Sequence, residues 1–195
     1  MEHTSIIGAL ARITAIPEEE RAYFLDRLMW QTVKKGQFLV HAGDVCETIY
    51  YCETGLFRMF YENEEGSEHI KSFVTDGTFF TDYRAVLTGE QAVLSVQALE
   101  DSRCALLTRA DIERLYERHI CWERFGRKLA EELFIAKSKK ERELVALSAE
   151  ERYRLFQQQY PGLEGRIPQY QIAAFLAINP VSLSRIRGKL ERRHP

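Results

Sequence analysis

The sequence predicts an α+β protein in which helices flank an all-β middle region, and three observations support this prediction. Glycines recur at positions 36, 43, 55, 66, 77 and 89, with short runs of β-branched and aromatic residues between them. Turns at such regular intervals are typical of a β sandwich or barrel. Before about residue 30 and after residue 108, apolar residues recur at helical spacing instead. A capping sequence at residues 148–151 then separates the last helices from the rest.

Composition places the chain among globular proteins, because 45% of its 195 residues are hydrophobic and 29% are charged. The sequence has no apolar run of the roughly 18 residues that a membrane span needs. Its N-terminus lacks the pattern of a secretory signal, so we expect a cytoplasmic protein with no membrane partner. The four cysteines form no CxxC pair, which argues against a structural zinc site and a disulfide scaffold. No cofactor and no metal site are predicted.

The first 30 residues are expected to be helical. Pro17 suits a first helical turn, and the acidic residues 18–20 favour its positive end. Tyr23, Phe24 and Leu28 follow at helical spacing. The β region then runs from about residue 30 to residue 108.

Inside the β region, residues 63–66 predict a hairpin turn. Gly66 ends this segment and can adopt the positive φ that such a turn requires. Two short strands are therefore expected on either side of it.

A long helix is predicted to follow Thr108, which with Asp111 resembles a capping box, and to continue to about Leu147. Its apolar residues form one stripe at spacings of three and four: Trp122, Phe125, Leu129, Leu133 and Ala136. Such a stripe packs on the β region or forms a parallel two-fold seam with a second copy. Because a single β domain leaves one helix face open, we predict the seam, and hence a homodimer.

Ser148 to Glu151 is a second capping box, which indicates that one helix ends near Leu147 and another begins at once. We therefore predict three parts: a β domain with N-terminal helices at 1–110, a linking and dimerisation helix at 111–147, and a C-terminal helical domain at 148–195.

The most informative segment is residues 168–190, PQYQIAAFLAINPVSLSRIRGKL, which predicts a helix-turn-helix. Ala173 is the small residue where two helices approach, and Asn179 with Pro180 suits the start of the second helix. The inner faces carry Ile172, Leu176, Ile178, Leu183 and Ile186. The turn carries Ala177 where glycine is usual, and a left-handed backbone there would cost on the order of 1 kcal/mol.

Charge supports DNA as the partner of this segment. Residues 151–195 hold eight Lys or Arg against three acids, although the net charge of the chain is −2. A basic segment on an acidic body indicates contact with a polyanion.

The order of elements resembles the Crp/Fnr family of bacterial transcription regulators. The resemblance rests on residues 43–60, 76–90, 96–115 and 168–190, and it covers nearly the whole chain. It implies an antiparallel β-roll of the double-stranded β-helix or jelly-roll type that resembles a cyclic nucleotide-binding domain. It also implies a dimerising long helix and DNA binding near promoters. Five residues follow Leu190, so the β wing usual in the family is not expected here.

The resemblance places Arg185 at the family's central base-reading position, where a guanidinium can reach guanine O6 and N7. Pro180 and Val181 occupy two other such positions and have no side-chain donor. The predicted DNA-binding set is Gln169, Tyr170, Asn179, Ser182, Ser184, Arg185, Arg187 and Lys189.

The resemblance also places a phosphate cassette at about residues 80–98. Where the family's nucleotide binders carry a Gly-Glu pair and an arginine, this sequence has Thr81-Asp82 and Ala92. A buried phosphate needs a cationic partner, so cyclic AMP is not expected to bind unless Arg84 turns inward. An empty pocket, an apolar pocket or one for an uncharged ligand is expected instead. Its candidate residues are Phe80, Thr81, Asp82, Tyr83, Arg84, Val93 and Leu94.

We therefore predict a DNA-binding transcription regulator that senses an unidentified small-molecule effector and is not an enzyme. RNA polymerase is a further candidate partner. The alternative is a small-molecule-binding β-roll protein whose C-terminal helices contact another protein and no DNA. A cupin-like enzyme is a remote third interpretation, because His41 and His69 form no HxH pair and no nucleophile–base motif is present.

Overall fold

The structure is a computed structural model, and it describes residues 4–192. The predicted residues of the C-terminal domain beyond Arg192, and the first three of the N-terminal region, lie outside this range. The helices are α1 (Thr4–Ile13), α2 (Glu18–Leu25), α3 (Tyr83–Thr88), α4 (Arg109–Arg118), α5 (Ile120–Ala146), α6 (Ala149–Gln159), α7 (Gln169–Phe175) and α8 (Pro180–Glu191). The strands are β1 (Met29–Val33), β2 (Phe38–Val40), β3 (Thr48–Thr54), β4 (Phe57–Glu62), β5 (Glu68–Val74), β6 (Thr78–Phe80), β7 (Ser95–Ala98) and β8 (Ser102–Thr108).

The strands form two four-stranded sheets, which confirms the predicted α+β class with a central β-roll. Their orders are β1-β8-β3-β6 and β2-β7-β4-β5, so most neighbours in space are distant in sequence, whereas β4 and β5 are consecutive. The β3–β6 and β3–β8 pairs are antiparallel, and Tyr50 lies opposite Phe80 in the first of them. Aromatic and aliphatic side chains fill the interior, where Tyr50 stacks on Phe80 and Phe57 packs against the same ring.

The described chain divides into two compact units. The N-terminal unit contains residues up to 61 and residues 72–133, and the C-terminal unit contains residues 62–71 and those from 134 onward. Helix α5 therefore contributes to both units, as does the β4–β5 hairpin. The changes from one unit to the other fall after residues 61, 71 and 133. The domain boundaries predicted at 110 and 147 are different from these and stay predictions.

In the N-terminal unit, helices α1, α2, α4 and the start of α5 share a second apolar core with strands β3 and β8. Trp122 stacks on Phe24 at 5.1 Å between ring centroids. The Trp122 indole donates a hydrogen bond of 3.0 Å to buried Glu20, which Arg118 also contacts at 3.0 Å. Glu20 is thus buried with both a donor and a countercharge, which a buried carboxylate requires.

The helix predicted from Thr108 to Leu147 is interrupted, so that prediction is corrected. His119 has an extended backbone and separates α4 from α5. The His119 Nδ1 atom accepts a hydrogen bond from the Cys121 amide at 3.1 Å, so the side chain satisfies a free donor at the start of α5.

Among the helices of residues 4–192, none combines the length and the apolar character of a membrane-spanning segment.

The predicted hairpin at residues 63–66 is confirmed. Gly66 has a φ of 75°, and the Asn63 side chain accepts a hydrogen bond of 2.8 Å from the Ser67 amide. In the C-terminal unit, Lys140 of α5 donates to the carbonyl oxygens of Ile70 and Lys71 on this hairpin. The Lys140 ammonium also lies 3.9 Å from the centre of the Phe175 ring on α7. One lysine therefore joins three elements of this unit.

Candidate DNA-binding face and effector region

Helices α7 and α8 form the two-helix element that the sequence predicts. Ile172, Ala173, Leu176 and Leu183 are each no more than 1% exposed, so the inner faces are packed. The α7–α8 connection passes through Ala177, whose φ is 53°. The backbone at Ala177 is therefore left-handed, which carries an energetic cost for a residue that has a Cβ atom.

Helix α8 begins as the sequence predicts. The Asn179 side chain accepts a hydrogen bond of 2.8 Å from the Ser182 amide, and Pro180 occupies the first helical position. This cap fixes where the helix starts and therefore which residues its outer face carries.

Arg152 is a residue that the sequence interpretation counted only as part of the basic segment. Its Nε and Nη2 atoms donate to the Leu176 carbonyl oxygen at 3.2 and 3.0 Å. Its Nη1 atom donates to the Leu147 carbonyl oxygen at 2.7 Å. These carbonyls lie at the ends of α7 and α5, where helices leave oxygens without intrahelical partners. Arg152 therefore fixes the α7 end of the turn, and only the three-dimensional arrangement shows this.

The outer face of α8 carries Val181, Ser184 and Arg185, all of them exposed. Among residues 4–192, Arg185 and Ser184 have no hydrogen bond or ion pair through their side chains. Gln169 and Tyr170 are also exposed at the start of α7, and Tyr170 retains 53% of its surface. These five side chains are free to contact a partner from outside.

The other four members of the predicted DNA-binding set are bonded or partly covered inside the C-terminal unit. Lys189 forms an ion pair of 2.6 Å with Glu150. Arg187 is only partly exposed and lines a depression of α6 and α8 together with Tyr153. Asn179 uses its side-chain oxygen for the helix cap. Ser182 is half-buried, and its amide is the donor to that cap.

In the predicted effector region, Asp82 is 2% exposed and is satisfied by the chain itself. Its two carboxylate oxygens accept hydrogen bonds from the amides of Ala85, at 3.3 Å, and Val93, at 2.9 Å. The first of these amides lies in the opening turn of α3. An internal carboxylate therefore occupies the donors that a bound anion would use.

Arg84 is turned toward the surface and not into the roll. It pairs with Glu90 and donates to the Gln91 carbonyl oxygen at 2.8 Å. The guanidinium is thus neutralised by a carboxylate six residues further along the chain. This arrangement leaves no free cation at the predicted cassette.

The remaining predicted effector residues lie in different surroundings. Phe80 and Leu94 are part of the roll core, and the Thr81 hydroxyl donates to the Thr48 carbonyl oxygen at 2.7 Å. Val93 is 50% exposed at the surface. Tyr83 lines a separate apolar cavity, on the side of the helices.

The residues of the predicted dimer stripe on α5 differ in how far their own chain buries them. Trp122 is 1% exposed within its own chain, so its assignment to a seam with a second copy is corrected. Phe125 packs against the same core, and its ring meets Trp122 edge-on at 6.3 Å. Leu129 is half-buried, whereas Leu133 and Ala136 are exposed.

Further along α5, three more large apolar side chains are exposed, and the sequence stripe did not include them. They are Phe134, Ile135 and Val145, with 70%, 65% and 91% of their surface exposed. A surface helix that shows so much apolar area is typical of an interface.

Among residues 4–192, no three His, Cys, Asp or Glu side chains are grouped as metal ligands would be.

A sequence model of the cyclic nucleotide-binding domain family matches residues 30–119. No curated protein is similar enough in sequence to be matched. Among solved structures, FixK2 from Bradyrhizobium japonicum is 20% identical with a TM-score of 0.73, covering 85% of this chain and 85% of its own. The catabolite activator protein of Thermus thermophilus is 23% identical with a TM-score of 0.60, covering 95% of this chain and 87% of its own.

A regulator of the crp/fnr family from Eubacterium rectale is 16% identical with a TM-score of 0.72, covering 91% of this chain and 85% of its own. These structures extend the likeness from the β-roll to the C-terminal helices. Residues 30–119 thus form a β-roll of the cyclic nucleotide-binding type, and the chain as a whole has the fold of the Crp/Fnr transcription regulators.

Proposed function

We propose that this protein is a homodimeric transcription regulator that binds DNA through α8. The observation that carries the proposal is the outer face of α8, where Arg185 and Ser184 are exposed and have no partner within residues 4–192. A short helix with small residues around a central arginine fits the major groove. An arginine in this position can donate two hydrogen bonds to guanine.

The exposed end of the stripe on α5 supports the dimer. Leu133 is 41% exposed and Phe134 is 70% exposed, so apolar surface is available on this helix after the monomer has folded. A two-fold axis would bring two copies of α8 to half-sites about one helical turn, roughly 34 Å, apart.

DNA binding is tested by selecting bound duplexes from a random pool and measuring the affinity for the selected site. A two-fold symmetric site is expected. Arg185→Ala should weaken binding by about 1–3 kcal/mol and relax the preference at one base pair in each half-site. Arg154→Ala is the matched control, because Arg154 is an exposed arginine of α6 that pairs with Glu150.

Unchanged sequence preference in Arg185→Ala would mean that Arg185 reads no base. Failure to select any site, with the protein folded and dimeric, would favour the alternative in which the C-terminal helices contact another protein. Lys189→Ala should lower the affinity for every DNA sequence only slightly, because the Lys189 ammonium group already pairs with Glu150.

The dimer is tested by sedimentation of Leu133→Glu, which should shift the protein to monomers because it places a charge in the seam. Leu87→Glu is the control, since Leu87 is 60% exposed and belongs to α3, not to α5. A Leu133→Glu protein that remains dimeric would place the interface elsewhere.

We further propose that the β-roll does not use a cyclic nucleotide as its effector. Asp82 already occupies the Ala85 and Val93 amides, and Arg84 pairs with Glu90. Calorimetric titration with cyclic AMP and cyclic GMP should therefore give no heat of binding. Micromolar binding that is lost in Arg84→Ala would overturn this proposal.

A further inference from the structure

A branched apolar side chain lies on the outer face of α8, in the first turn of the helix. Val181 is the second residue of α8 and keeps 61% of its surface exposed, whereas Leu183, two positions further along, is fully buried. The Asn179 cap fixes this difference, because it determines where the first turn begins and which side chains point inward. The methyl groups of Val181 are therefore available to a partner.

Val181 shares its face of α8 with Ser184, Arg185 and Gly188, which follow it by three, four and seven positions. Residues at these spacings lie on one side of an α-helix. Each residue rises about 1.5 Å, so Val181 and Arg185 lie about 6 Å apart along the helix axis. Stacked base pairs are about 3.4 Å apart. A helix in the major groove that brings Arg185 to one base pair thus brings Val181 to a pair one or two steps away.

The small residues on this face let the helix come close to the base edges. Valine is a short side chain, so its methyl groups reach a base only when the helix backbone is near. Ser184 is small, and Gly188 has no side chain at all. Among the residues that the structure describes, none outside this stretch of helix lies within 4 Å of where a Cβ atom of residue 188 would be. The fold therefore does not require glycine there, although glycine weakens a helix relative to alanine, and the open space admits an approaching surface.

We infer that Val181 selects thymine at one position of each DNA half-site. This inference rests on the DNA binding through α8 that is proposed above. Thymine is the base that presents a methyl group in the major groove, where the other bases present hydrogen-bonding groups. An apolar side chain gains free energy by covering a methyl group, but it leaves a covered donor or acceptor without a partner. Arg185 thus binds guanine through hydrogen bonds, and Val181 binds thymine through apolar contact.

The test starts from the duplex that is selected by the full-length protein. Each thymine of one half-site is replaced in turn by uracil, which lacks only the methyl group, and the affinity is measured at constant salt concentration. One replacement should weaken binding about fourfold, because this factor corresponds to the burial of one methyl group. With cytosine in the same position binding should be weaker still, and methylation of that cytosine at C5 should strengthen it again by about fourfold.

Val181→Ser removes both methyl groups from an exposed position, so this variant should fold like wild type. It should bind the thymine and uracil duplexes equally. Val93→Ser is the matched control, because Val93 is 50% exposed but belongs to the N-terminal unit. The control should keep the fourfold difference.

The outcomes separate this inference from the proposed function. If the folded protein selects no DNA site, DNA binding and the role of Val181 are both wrong. If a site is selected, DNA binding stands whatever the uracil series shows. The role of Val181 alone is then overturned if no single uracil weakens binding, or if Val181→Ser keeps the fourfold difference between thymine and uracil.

Discussion

The cassette around Asp82 and the outer face of α8 are both predicted ligand sites, yet they differ in how their polar groups are satisfied. In the cassette, the Asp82 carboxylate and the Arg84 guanidinium each have partners inside the chain. On α8, Arg185 has none among residues 4–192. A polar group that is already paired stabilises the fold, whereas an unpaired one at the surface is available to a partner. This difference assigns the first region to stability and agrees with the DNA-binding role that we propose for the second.

The largest expected effect tests the cassette side of this comparison. Asp82→Ala should lower the free energy of unfolding by about 3 kcal/mol, because it leaves the Ala85 and Val93 amides without acceptors. Asp82→Asn keeps one acceptor oxygen and should lose about half as much. Chemical denaturation gives both values. A change near zero in Asp82→Ala would mean that the carboxylate is not structural and would reopen the cassette to an external anion.

The next effect tests whether the turn between α7 and α8 depends on Arg152. Arg152→Met should lower the free energy of unfolding by about 2 kcal/mol, since the carbonyl oxygens of Leu176 and Leu147 lose their donors. Arg152→Lys should recover only part of this, because one ammonium cannot reproduce the planar fork. Hydrogen exchange of the α7 amides should accelerate in Arg152→Met. Unaltered exchange there would show that the turn is held by packing alone.

The helix caps show where prediction from the sequence succeeds, and the contacts of Asp82 and Arg152 show where it fails. The caps at Thr108, Ser148 and Asn179 were predicted and are confirmed, because a cap is a contact between residues three apart in the chain. The contacts of Arg152 with Leu176, and the return of the Val93 amide to Asp82, join residues 24 and 11 positions apart. No local pattern reports such contacts.

The prediction that Trp122 belongs to a seam between two copies was wrong for a related reason. Helical spacing shows that Trp122, Phe125 and Leu133 share a face, but it does not show what covers that face. The structure covers Trp122 with Phe24 of the same chain and leaves Leu133 exposed. The order of strands in the two sheets could not be predicted from the sequence either, because sheet neighbours such as β1 and β8 are distant along the chain.

A smaller effect concerns Lys140, a paired cation of the C-terminal unit. Burial lowers the pKa of Lys140 from 10.5 to about 8. Between these values the unfolded chain binds more protons than the folded one, so this group makes the free energy of unfolding rise with pH. From pH 7 to pH 9 the gain should be about 1 kcal/mol. It should vanish in Lys140→Met.

The free energy of unfolding is measured against pH for wild type and for Lys140→Met, and the two curves are subtracted. The subtraction is needed because cysteines and tyrosines with raised pKa values make the free energy of unfolding fall at high pH. Lys139→Met is the matched control, since Lys139 is the neighbouring lysine and is exposed. Parallel pH curves for wild type and Lys140→Met would contradict the buried position of the ammonium group.

The smallest expected effect concerns the turn between α7 and α8. Ala177 has a φ of 53°, which costs a residue with a Cβ atom about 1–2 kcal/mol relative to glycine. Glycine would remove that strain but would also increase the freedom of the unfolded chain, worth about 0.4–1 kcal/mol. Ala177→Gly should therefore raise the free energy of unfolding by about 0.5–1 kcal/mol. Since position 177 is exposed, the affinity for a selected DNA site should stay within twofold of wild type. Thermal denaturation and a DNA titration of the same sample measure the two quantities. A destabilised Ala177→Gly protein would show that the turn is not strained, and weaker DNA binding without a loss of stability would show that Ala177 itself takes part in recognition.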